Sequence, residues 1–487
     1  MKNTNKISFV LDQKIVDIDF DLLSPTTTVL NYLRSGPFHR GVKEGCAEGD
    51  CGACTLALGE LQEDGSIRYK AIDSCLVFLP QLHGKQLITV ENLSSKAETI
   101  EQLHPVQKAM VESNGSQCGY CTPGIIMSLF ALYKNENKPT RESIDDALTG
   151  NLCRCTGYKP IIEAASASCA HHSQDQFTLN EPAIAALLRQ IQQLDDEKKL
   201  VHQNQVYFLP TRLRQAIRIR QSNPRALLIS GSSDVALRVT KKHEVLPEIL
   251  DISSLKDLKH FSISENAVTL GAGLSLEFIR TQVRDVLPAL FDTLSVFGSR
   301  QIRNVATLGG NLGSASPIGD TLPILMAYGA AVVLYGPQGT REVLIKDFIV
   351  GYRKTVIKPD ELIAAVIVPI PMDEMHIKWY KISKRKDLDI STVSGGFGLR
   401  VSDGVVSEIV LAYGGMAAQT KRADKTEAFL LGKPWSREVV EEAMLILYNE
   451  FEPLTDARAS AEMRKISARN LLLKFWSETN TQKVVAS

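Results

Sequence analysis

The stretch GCAEGDCGAC, residues 45–54, decides how the first part of this chain folds. Its three cysteines, Cys46, Cys51 and Cys54, follow the spacing C-x4-C-x2-C, and glycines stand between them. Glycine permits the left-handed turns by which a loop wraps around a centre with its N–H groups pointing inward. The stretch therefore predicts a loop that brings several thiolates together, with Cys75 as the fourth.

The spacing of these cysteines favours an iron–sulfur cluster over zinc. C-x4-C-x2-C followed by a distant fourth cysteine is the pattern of plant-type ferredoxins. Structural zinc also takes four cysteines, but usually from two short C-x2–4-C pairs. We therefore expect Cys46, Cys51, Cys54 and Cys75 to bind one [2Fe–2S] cluster.

A second set of cysteines follows, as C-x2-C at Cys118 and Cys121 and C-x-C at Cys153 and Cys155. Each pair lies near the end of a predicted helix, so a helical bundle could bring the pairs together. Taken alone, this pattern leaves zinc open, but its proximity to a ferredoxin-type loop favours a second [2Fe–2S] cluster. The ninth cysteine, Cys169, lies in a small-residue helical segment and is interpreted as a packing residue.

Composition restricts the class of protein. The 487 residues are 44% hydrophobic, and 55 Lys plus Arg balance 55 Asp plus Glu, which favours neither nucleic acid nor a polybasic membrane anchor. No signal-peptide apolar region and no 18-residue apolar run is present, so we expect a cytoplasmic chain without a membrane partner. All nine cysteines lie between Cys46 and Cys169, unlike a disulfide scaffold, which would be small and cysteine-dense throughout.

The periodicity of hydrophobic and polar residues changes several times along the chain. Ile7 to Ile18 alternates as a strand pair with a turn at Asp12-Gln13, and helical spacing begins after Pro105. The predicted segments are a β-rich domain over 1–93, a helical domain over 94–168, a linker containing one helix over 169–204, an α/β region over 205–375 and a small α+β domain over 376–487.

Two Gly/Ser-rich loops in the third region are candidates for binding a flavin or another nucleotide. They are LLISGSSDVALRV at 227–239 and RNVATLGGNLGSASPIGDTLP at 303–323. Such loops expose N–H groups and hydroxyls to phosphates. From the residues alone, ordinary turns remain an alternative, and no complete G-x-G-x-x-G motif is present.

The motifs GCAEGDCGAC, QCGYCTPG and LCRCTGY together resemble those of the molybdenum hydroxylases, the xanthine dehydrogenase and aldehyde oxidase group. The resemblance implies that each set of four cysteines holds one [2Fe–2S] cluster. It also implies that Gln117, before the C-x2-C pair, contacts the pterin of a molybdenum cofactor.

The resemblance also implies a fold class, multidomain α+β. Its parts are a β-grasp ferredoxin-like domain, a four-helix-bundle [2Fe–2S] domain, an α+β FAD-binding domain of the PCMH/vanillyl-alcohol-oxidase type and a small α+β C-terminal domain. The implied FAD contacts are Leu228, Ile229, Ser230, Gly231, Ser232, Ser233, Asp234, Val235, Phe297, Thr307, Gly309, Gly310, Asn311, Ser314, Asp320 and Lys381.

The implied function is electron transfer. Family enzymes carry a molybdopterin domain for which this chain has no room, so we expect a molybdopterin-binding large subunit as partner, in an α2β2 heterotetramer. Fusion of the iron–sulfur and FAD regions favours the xanthine dehydrogenase type, with hypoxanthine or xanthine hydroxylated on the partner and NAD⁺ as acceptor. An equivalent subunit of an enzyme acting on aldehydes or N-heterocycles, and a structural zinc protein, are the alternatives.

Overall fold

The computed structural model describes residues 5–94, 97–170, 174–193, 197–372 and 374–480. The chain forms two compact units, one of residues up to 255 together with 298–306, the other of 256–297 together with residues from 307 onward. Residues 171–173 and 194–196 of the predicted linker, and the outermost residues of both predicted terminal domains, lie outside the described ranges. Helices and sheets occur in both units, which confirms the multidomain α+β fold class.

The elements up to residue 255 follow in chain order. They are β1 (Lys6–Leu11), β2 (Lys14–Asp19), α1 (Val29–Ser35), β3 (Thr55–Leu61), β4 (Ile67–Asp73), β5 (Gln86–Ile88), α2 (Pro105–Glu112), α3 (Thr122–Asn135), α4 (Arg141–Leu148), α5 (Lys159–Ala170), α6 (Gln176–Gln193), β6 (Lys198–His202), β7 (Gln205–Leu209), α7 (Leu213–Ser222), β8 (Leu227–Ile229), α8 (Ala236–Thr240) and β9 (Glu248–Asp251).

The remaining elements complete the chain. They are β10 (Phe261–Ile263), β11 (Ala267–Gly271), α9 (Leu276–Gln282), α10 (Pro288–Ser295), α11 (Arg300–Val305), α12 (Leu308–Gly313), α13 (Thr321–Ala327), β12 (Ala331–Gly336), β13 (Gly339–Leu344), α14 (Ile345–Phe348), β14 (Ile349–Gly351), β15 (Lys354–Thr355), β16 (Leu362–Pro369), β17 (His376–Ile382), β18 (Val393–Ser402), β19 (Val405–Gly414), β20 (Lys421–Arg422), α15 (Asp424–Leu430), α16 (Arg437–Tyr448) and α17 (Ala461–Thr479).

The first unit begins with a five-stranded sheet in the order β2-β1-β5-β3-β4. β1 and β2 form the predicted hairpin, and its turn residues Asp12 and Gln13 have φ values of 51° and 63°, the left-handed conformation of a tight hairpin turn. β5 returns parallel to β1, with Val10 opposite Gln86. This mixed sheet with α1 against it is the predicted β-grasp arrangement.

Four helices, α2 to α5, form the helical domain because each has an apolar face to bury. Ile125, Leu129 and Phe130 of α3 share one core with Ile161 and Ala165 of α5. α6, within the predicted linker, adds its own buried side chains to this core, among them Ile184 and Leu188. α6 is therefore packed against the helical domain.

The first unit ends with a four-stranded sheet in the order β6-β7-β9-β8. β7 and β8 both run parallel to β9, so the loop that follows β8 leaves the sheet at the carboxyl edge of these strands. Ligand loops of open parallel sheets lie at this edge. The first predicted flavin loop therefore starts from a fixed strand.

The second unit contains two larger sheets, of order β10-β11-β16-β12-β13 and β17-β18-β19-β20. Helices α16 and α17 cover the second of them, with Leu447, Leu472 and Phe475 in its core. Within the described ranges, none of the helices combines the length and hydropathy needed to cross a bilayer.

Candidate iron–sulfur and flavin sites

The first set of cysteines meets at the end of the β-grasp sheet. Cys46, Cys51 and Cys54 belong to the loop before β3, and Cys75 lies in a 3₁₀ turn directly after β4. β3 and β4 pair along their whole length, from Thr55 opposite Asp73 onward, which brings the two segments together. The thiols form two hydrogen-bonded pairs, Cys46 with Cys51 and Cys54 with Cys75.

Backbone N–H groups surround the sulfurs of this loop. The N–H groups of Glu48 and Asp50 donate to Cys46 Sγ at 3.4 and 3.3 Å. The N–H of Ala53 is directed at the Cys51 sulfur. Such bonds stabilise thiolates and the negative charge of a cluster bound to them. The loop thus has the inward-pointing N–H groups that its glycines predict.

The second set meets at the ends of α3 and α4. Cys118 pairs with Cys155, and Cys121, at the start of α3, pairs with Cys153. Cys118 and Cys155 are exposed to solvent, whereas Cys121 and Cys153 are half-buried. The two predicted cysteine pairs are therefore brought together, with one side of the site open.

Within three of these thiol pairs, one pKa is lowered and the other raised. The hydrogen bond from the Cys51 thiol lowers the pKa of Cys46 to about 5 and raises that of Cys51. Burial and the bond to Cys153 raise the pKa of Cys121 to about 12. Metal ligation needs these cysteines as thiolates, so an incoming metal would displace the protons that the thiols carry.

The thiols of each set are arranged as two pairs. Among the described residues, no three His, Cys, Asp or Glu side chains meet as a site for one metal ion. Thiols arranged two by two suit a [2Fe–2S] cluster, in which two iron atoms share four cysteines. The donor set therefore fits the predicted clusters.

The two cysteine loops touch each other directly. The N–H of Leu152, next to Cys153, donates to the carbonyl of Cys51 at 3.0 Å. Gly52 has φ +68°, and a Cβ there would lie 2.3 Å from the Gly150 carbonyl oxygen. Only glycine fits this contact. Asn151, which the sequence analysis did not single out, fills the space beside it.

The first predicted flavin loop belongs to the first unit and extends from Leu228 and Ile229 of β8 to Val235. Ser232 has φ +55°, and its hydroxyl donates to the carbonyl of Leu76 at 2.6 Å, with Gln81 Oε1 at 2.8 Å. Leu76 follows Cys75, a predicted cluster ligand, in the chain. The loop is thus bonded to the first cysteine site through a side chain predicted to face FAD.

Other members of this loop differ in exposure. Ser230 is buried, and its carbonyl accepts a hydrogen bond from Gln81 Nε2 at 3.1 Å. Gly231 packs so closely on the Val305 carbonyl that a Cβ would lie 1.9 Å from that oxygen. Ser233 is half-buried and Asp234 is exposed. The accessible part of the loop therefore lies around Ser233 and Asp234.

The remaining predicted flavin contacts belong to the second unit. Thr307 caps α12, and its Oγ1 accepts from the Gly310 N–H at 3.1 Å. Gly309 and Asn311 lie in the same helix, and Ser314 closes it. Asn311 Oδ1 accepts from the Thr321 hydroxyl at 2.5 Å. Phe297 is half-buried and follows α10.

Asp320 and Lys381 form a buried ion pair with an O–N distance of 2.9 Å. The Asp320 carboxylate also accepts from the Ser391 hydroxyl at 2.5 Å. Asp320 and Lys381 are predicted from the sequence but Ser391 is not, because a serine nine residues after a strand carries no signal of its own. The hydrogen bond from Ser391 helps to hold the buried Asp320–Lys381 ion pair in a fixed geometry.

Family models match three parts of the chain. A [2Fe-2S] binding domain matches residues 89–166, and an FAD binding domain in molybdopterin dehydrogenase matches residues 200–371. The CO dehydrogenase flavoprotein C-terminal domain matches residues 378–479.

Similar curated proteins include the xanthine dehydrogenase/oxidase of Gallus gallus, 31% identical over 96% of this chain. The xanthine dehydrogenase of Drosophila subobscura is 32% identical, also over 96% of this chain. The alignments cover 40% and 38% of these relatives, so this chain spans about 40% of their length.

Two solved structures are also similar. Carbon monoxide dehydrogenase from Hydrogenophaga pseudoflava is 25% identical, with a TM-score of 0.53 over 55% of this chain and 94% of its own. Quinoline 2-oxidoreductase from Pseudomonas putida 86 shares the fold, at 23% identity and a TM-score of 0.51 over 55% of this chain and 95% of its own. With its paired thiols, its matches to [2Fe–2S] and FAD domains and relatives along nearly its whole length, the chain fits the [2Fe–2S] and FAD portion of the molybdenum hydroxylases.

Proposed function

We propose that this chain is the iron–sulfur and FAD electron-transfer part of a xanthine dehydrogenase. The observation that carries the proposal is the pairing of eight thiols in two sets, in loops that touch each other. When bound, the clusters and FAD supply the redox chemistry, moving electrons from a molybdenum centre to an acceptor. The residues of the chain hold these groups, exclude water from them and set their potentials.

The cysteines are assigned by set. Cys46, Cys51, Cys54 and Cys75 hold the first cluster, and Cys118, Cys121, Cys153 and Cys155 hold the second. Cys54 and Cys75 are buried, so part of the first site is shielded from solvent by the β-grasp core. The exposed Cys118 and Cys155 place the second site at the surface.

FAD is assigned to the two glycine-rich loops and the Asp320–Lys381 pair. The family model for an FAD-binding domain spans both loops, and the accessible part of the first loop offers polar groups at Ser233 and Asp234. Ser391 holds the Asp320 carboxylate, and through it the Lys381 ammonium, in place. Substitution of Lys381 and measurement of bound flavin test the assignment of this side chain.

We assign a molybdopterin-binding chain as the partner, in an α2β2 assembly. The surface near the second cysteine set supports a docking role: Tyr120 is 48% and Leu152 47% exposed, although both are large and apolar. Exposed apolar groups in one place mark interaction sites. Gln117, the residue predicted to contact the pterin, is exposed in the same segment.

The proposed reaction of the whole enzyme is hydroxylation of hypoxanthine or xanthine on the partner, with NAD⁺ as final acceptor. The relatives named xanthine dehydrogenase support this substrate, at 31% and 32% identity. An aldehyde or N-heterocycle as substrate is the second candidate, because the partner chain would carry the substrate pocket.

Co-purification tests the proposal. We expect affinity-tagged chain expressed in its native host to recover a molybdenum-containing partner and to reduce NAD⁺ when xanthine is added. The same preparation is assayed with an aldehyde and with quinoline; activity on one of these but not on xanthine would select the second candidate. Xanthine oxidation by the chain without any molybdenum-containing partner would contradict the proposal.

A surface variant tests partner binding separately from cluster assembly. Tyr120→Ser changes the exposed surface at the second cysteine set but no thiol, so we expect less partner to be recovered while the visible spectrum of the chain is unchanged. Tyr352→Ser, at another exposed aromatic residue, serves as the matched control and leaves recovery of the partner unchanged.

A further inference from the structure

The side chain of Asn151 forms the centre of a buried hydrogen-bond network between the two cysteine loops. Its exposed fraction is 2%. Its Nδ2 donates to the Gly52 carbonyl and to Thr55 Oγ1, both at 3.1 Å. Its Oδ1 accepts from Ser128 Oγ at 2.6 Å and from Gln301 Nε2 at 2.8 Å. An amide can form four such bonds, and all four are present.

The network fixes one peptide of the first cysteine loop, the one that joins Gly52 to Ala53. Its carbonyl accepts from Asn151, from the Thr55 hydroxyl at 2.8 Å and from the Thr55 N–H at 3.1 Å. Because a peptide is planar, fixing the carbonyl also fixes the N–H on its other side. That N–H belongs to Ala53, which lies beside the Cys51 sulfur: a Cβ built at Gly45 would lie 2.7 Å from Cys51 Sγ and 3.6 Å from Ala53 Cβ.

The opposite side of the Asn151 amide is braced by a residue far away in the sequence. Gln301, fully buried on α11, donates from Nε2 to both Asn151 Oδ1 and Ser128 Oγ, each at 2.8 Å. These bonds leave the Asn151 amide a single orientation, with its NH2 group toward Gly52. A charged carboxylate in its place would face the Gly52 carbonyl with an acceptor instead of a donor.

We propose that Asn151, a residue of the second cysteine loop, is a positioning residue that raises the reduction potential of the first cluster by holding the Ala53 N–H against the Cys51 sulfur. Hydrogen bonds to cluster sulfurs stabilise the reduced, more negative state and so raise the potential. The proposal rests on the proposed function in one respect, that the first cysteine set holds a [2Fe–2S] cluster.

Redox titration followed by low-temperature EPR tests this role in the purified full-length chain. We expect Asn151→Ala and Asn151→Asp to shift the midpoint potential of the first cluster to more negative values while the second cluster's potential stays unchanged. The signal of the first cluster is identified as the one that Cys118→Ala retains. Gln301→Met keeps the Asn151 donors but loosens the amide, so a smaller shift in the same direction is expected.

Asn135→Ala is the matched control, because Asn135 Nδ2 donates to the Tyr69 carbonyl at 2.6 Å rather than to a cysteine loop. We expect both potentials to be unchanged in this variant. An unchanged first potential in Asn151→Ala with both clusters present, or in Gln301→Met if the Asn151 variants do not fold, would overturn the proposal. Absence of any [2Fe–2S] signal from the unsubstituted chain would instead overturn the proposed function.

Discussion

Single cysteines differ in what surrounds their sulfurs, and the difference separates ligands from packing residues. Cys169 is buried within α5, and burial raises its pKa. Its sulfur lies near the Ser168 hydroxyl, at 3.8 Å, and not beside another thiol. The eight assigned ligands instead share hydrogen bonds in pairs.

Substitution of one cysteine from each kind of environment tests this assignment. We expect Cys75→Ser to abolish the EPR signal of the first cluster and Cys169→Ser to retain both signals, because only Cys75 is paired with another thiol. Iron analysis and EPR of the reduced variants provide the measurement. Loss of a cluster in Cys169→Ser would show that the thiol pairs do not identify the ligands.

Ser232 adopts a left-handed backbone conformation that serine rarely occupies, and its hydroxyl bond to Leu76 compensates for the cost. We expect Ser232→Ala to lower the free energy of unfolding by about 1–2 kcal/mol, because a buried acceptor loses its donor. Urea unfolding followed by fluorescence measures the change.

Ser35→Ala is the control for Ser232→Ala. The Ser35 hydroxyl is exposed and bonds to a carbonyl of its own helix, so its removal should change the free energy of unfolding by less than about 0.5 kcal/mol. Equal effects of the two substitutions would mean that the bond between Ser232 and Leu76 contributes no more to the free energy of unfolding than an exposed hydrogen bond does.

Among the elements, the short helix α11 shows how a distant segment stabilises the iron–sulfur part. Arg303 is fully buried and pairs with Asp146 of α4 at 2.5 Å, and Arg300 contacts the same carboxylate at 2.7 Å. Asn304 donates to the Ala71 carbonyl of β4 at 2.8 Å. Residues 298–306 thus belong to the first unit although the chain on both sides of them belongs to the second.

Arg303→Met tests the contribution of this helix. We expect a loss of about 3 kcal/mol in the free energy of unfolding, because the half-buried Asp146 carboxylate loses the guanidinium of the fully buried Arg303. Arg141→Met, which breaks an exposed pair with Asp145 on the same helix α4, should cost about 0.5 kcal/mol or less. A comparable loss in both variants would contradict the assignment of α11 as an anchor.

The start of α6 makes stability depend on pH through Asp175. Burial alone would raise the pKa of this carboxyl, but hydrogen bonds from His104, Lys134 and Thr178 outweigh burial and lower it. A carboxyl whose pKa is lower in the folded state contributes stability above its unfolded pKa of about 3.9, and the contribution is lost as the pH falls through the folded pKa.

We therefore expect Asp175→Asn to destabilise the chain most at neutral pH and progressively less as the pH falls below about 3.9. Urea unfolding of both proteins over that range measures the difference. A destabilisation that stays constant as the pH falls would show that the Asp175 carboxylate does not carry the effect.

At the scale of the whole molecule, local patterns could be predicted from the sequence and distant contacts could not. The spacing of Cys46, Cys51 and Cys54 predicts their loop because the ligands lie within ten residues. Asn151 stands two residues before Cys153, yet its role depends on Gln301, 150 positions away, which no local pattern links to it. The helix inside the predicted linker was expected, but its burial against the helical domain was not.

In the flavin region, too, local patterns could be predicted from the sequence and distant contacts could not. The glycine-rich stretches predict loops after strands, and the structure has the first of them directly after β8. Their composition does not reveal that the Ser232 hydroxyl is bonded to Leu76, because the acceptor lies in a separate domain of the sequence. Side chains in such loops can be assigned to a ligand only after their bonds within the protein are known.

The central claim is that this chain carries two [2Fe–2S] clusters and FAD. Low-temperature EPR of the anaerobically purified, dithionite-reduced chain, combined with iron, sulfide, zinc and flavin analysis, tests it most directly. We expect two distinct [2Fe–2S] signals from a brown protein with bound FAD, and iron equal to acid-labile sulfide. A colourless protein that holds zinc on its cysteines and no flavin would contradict it.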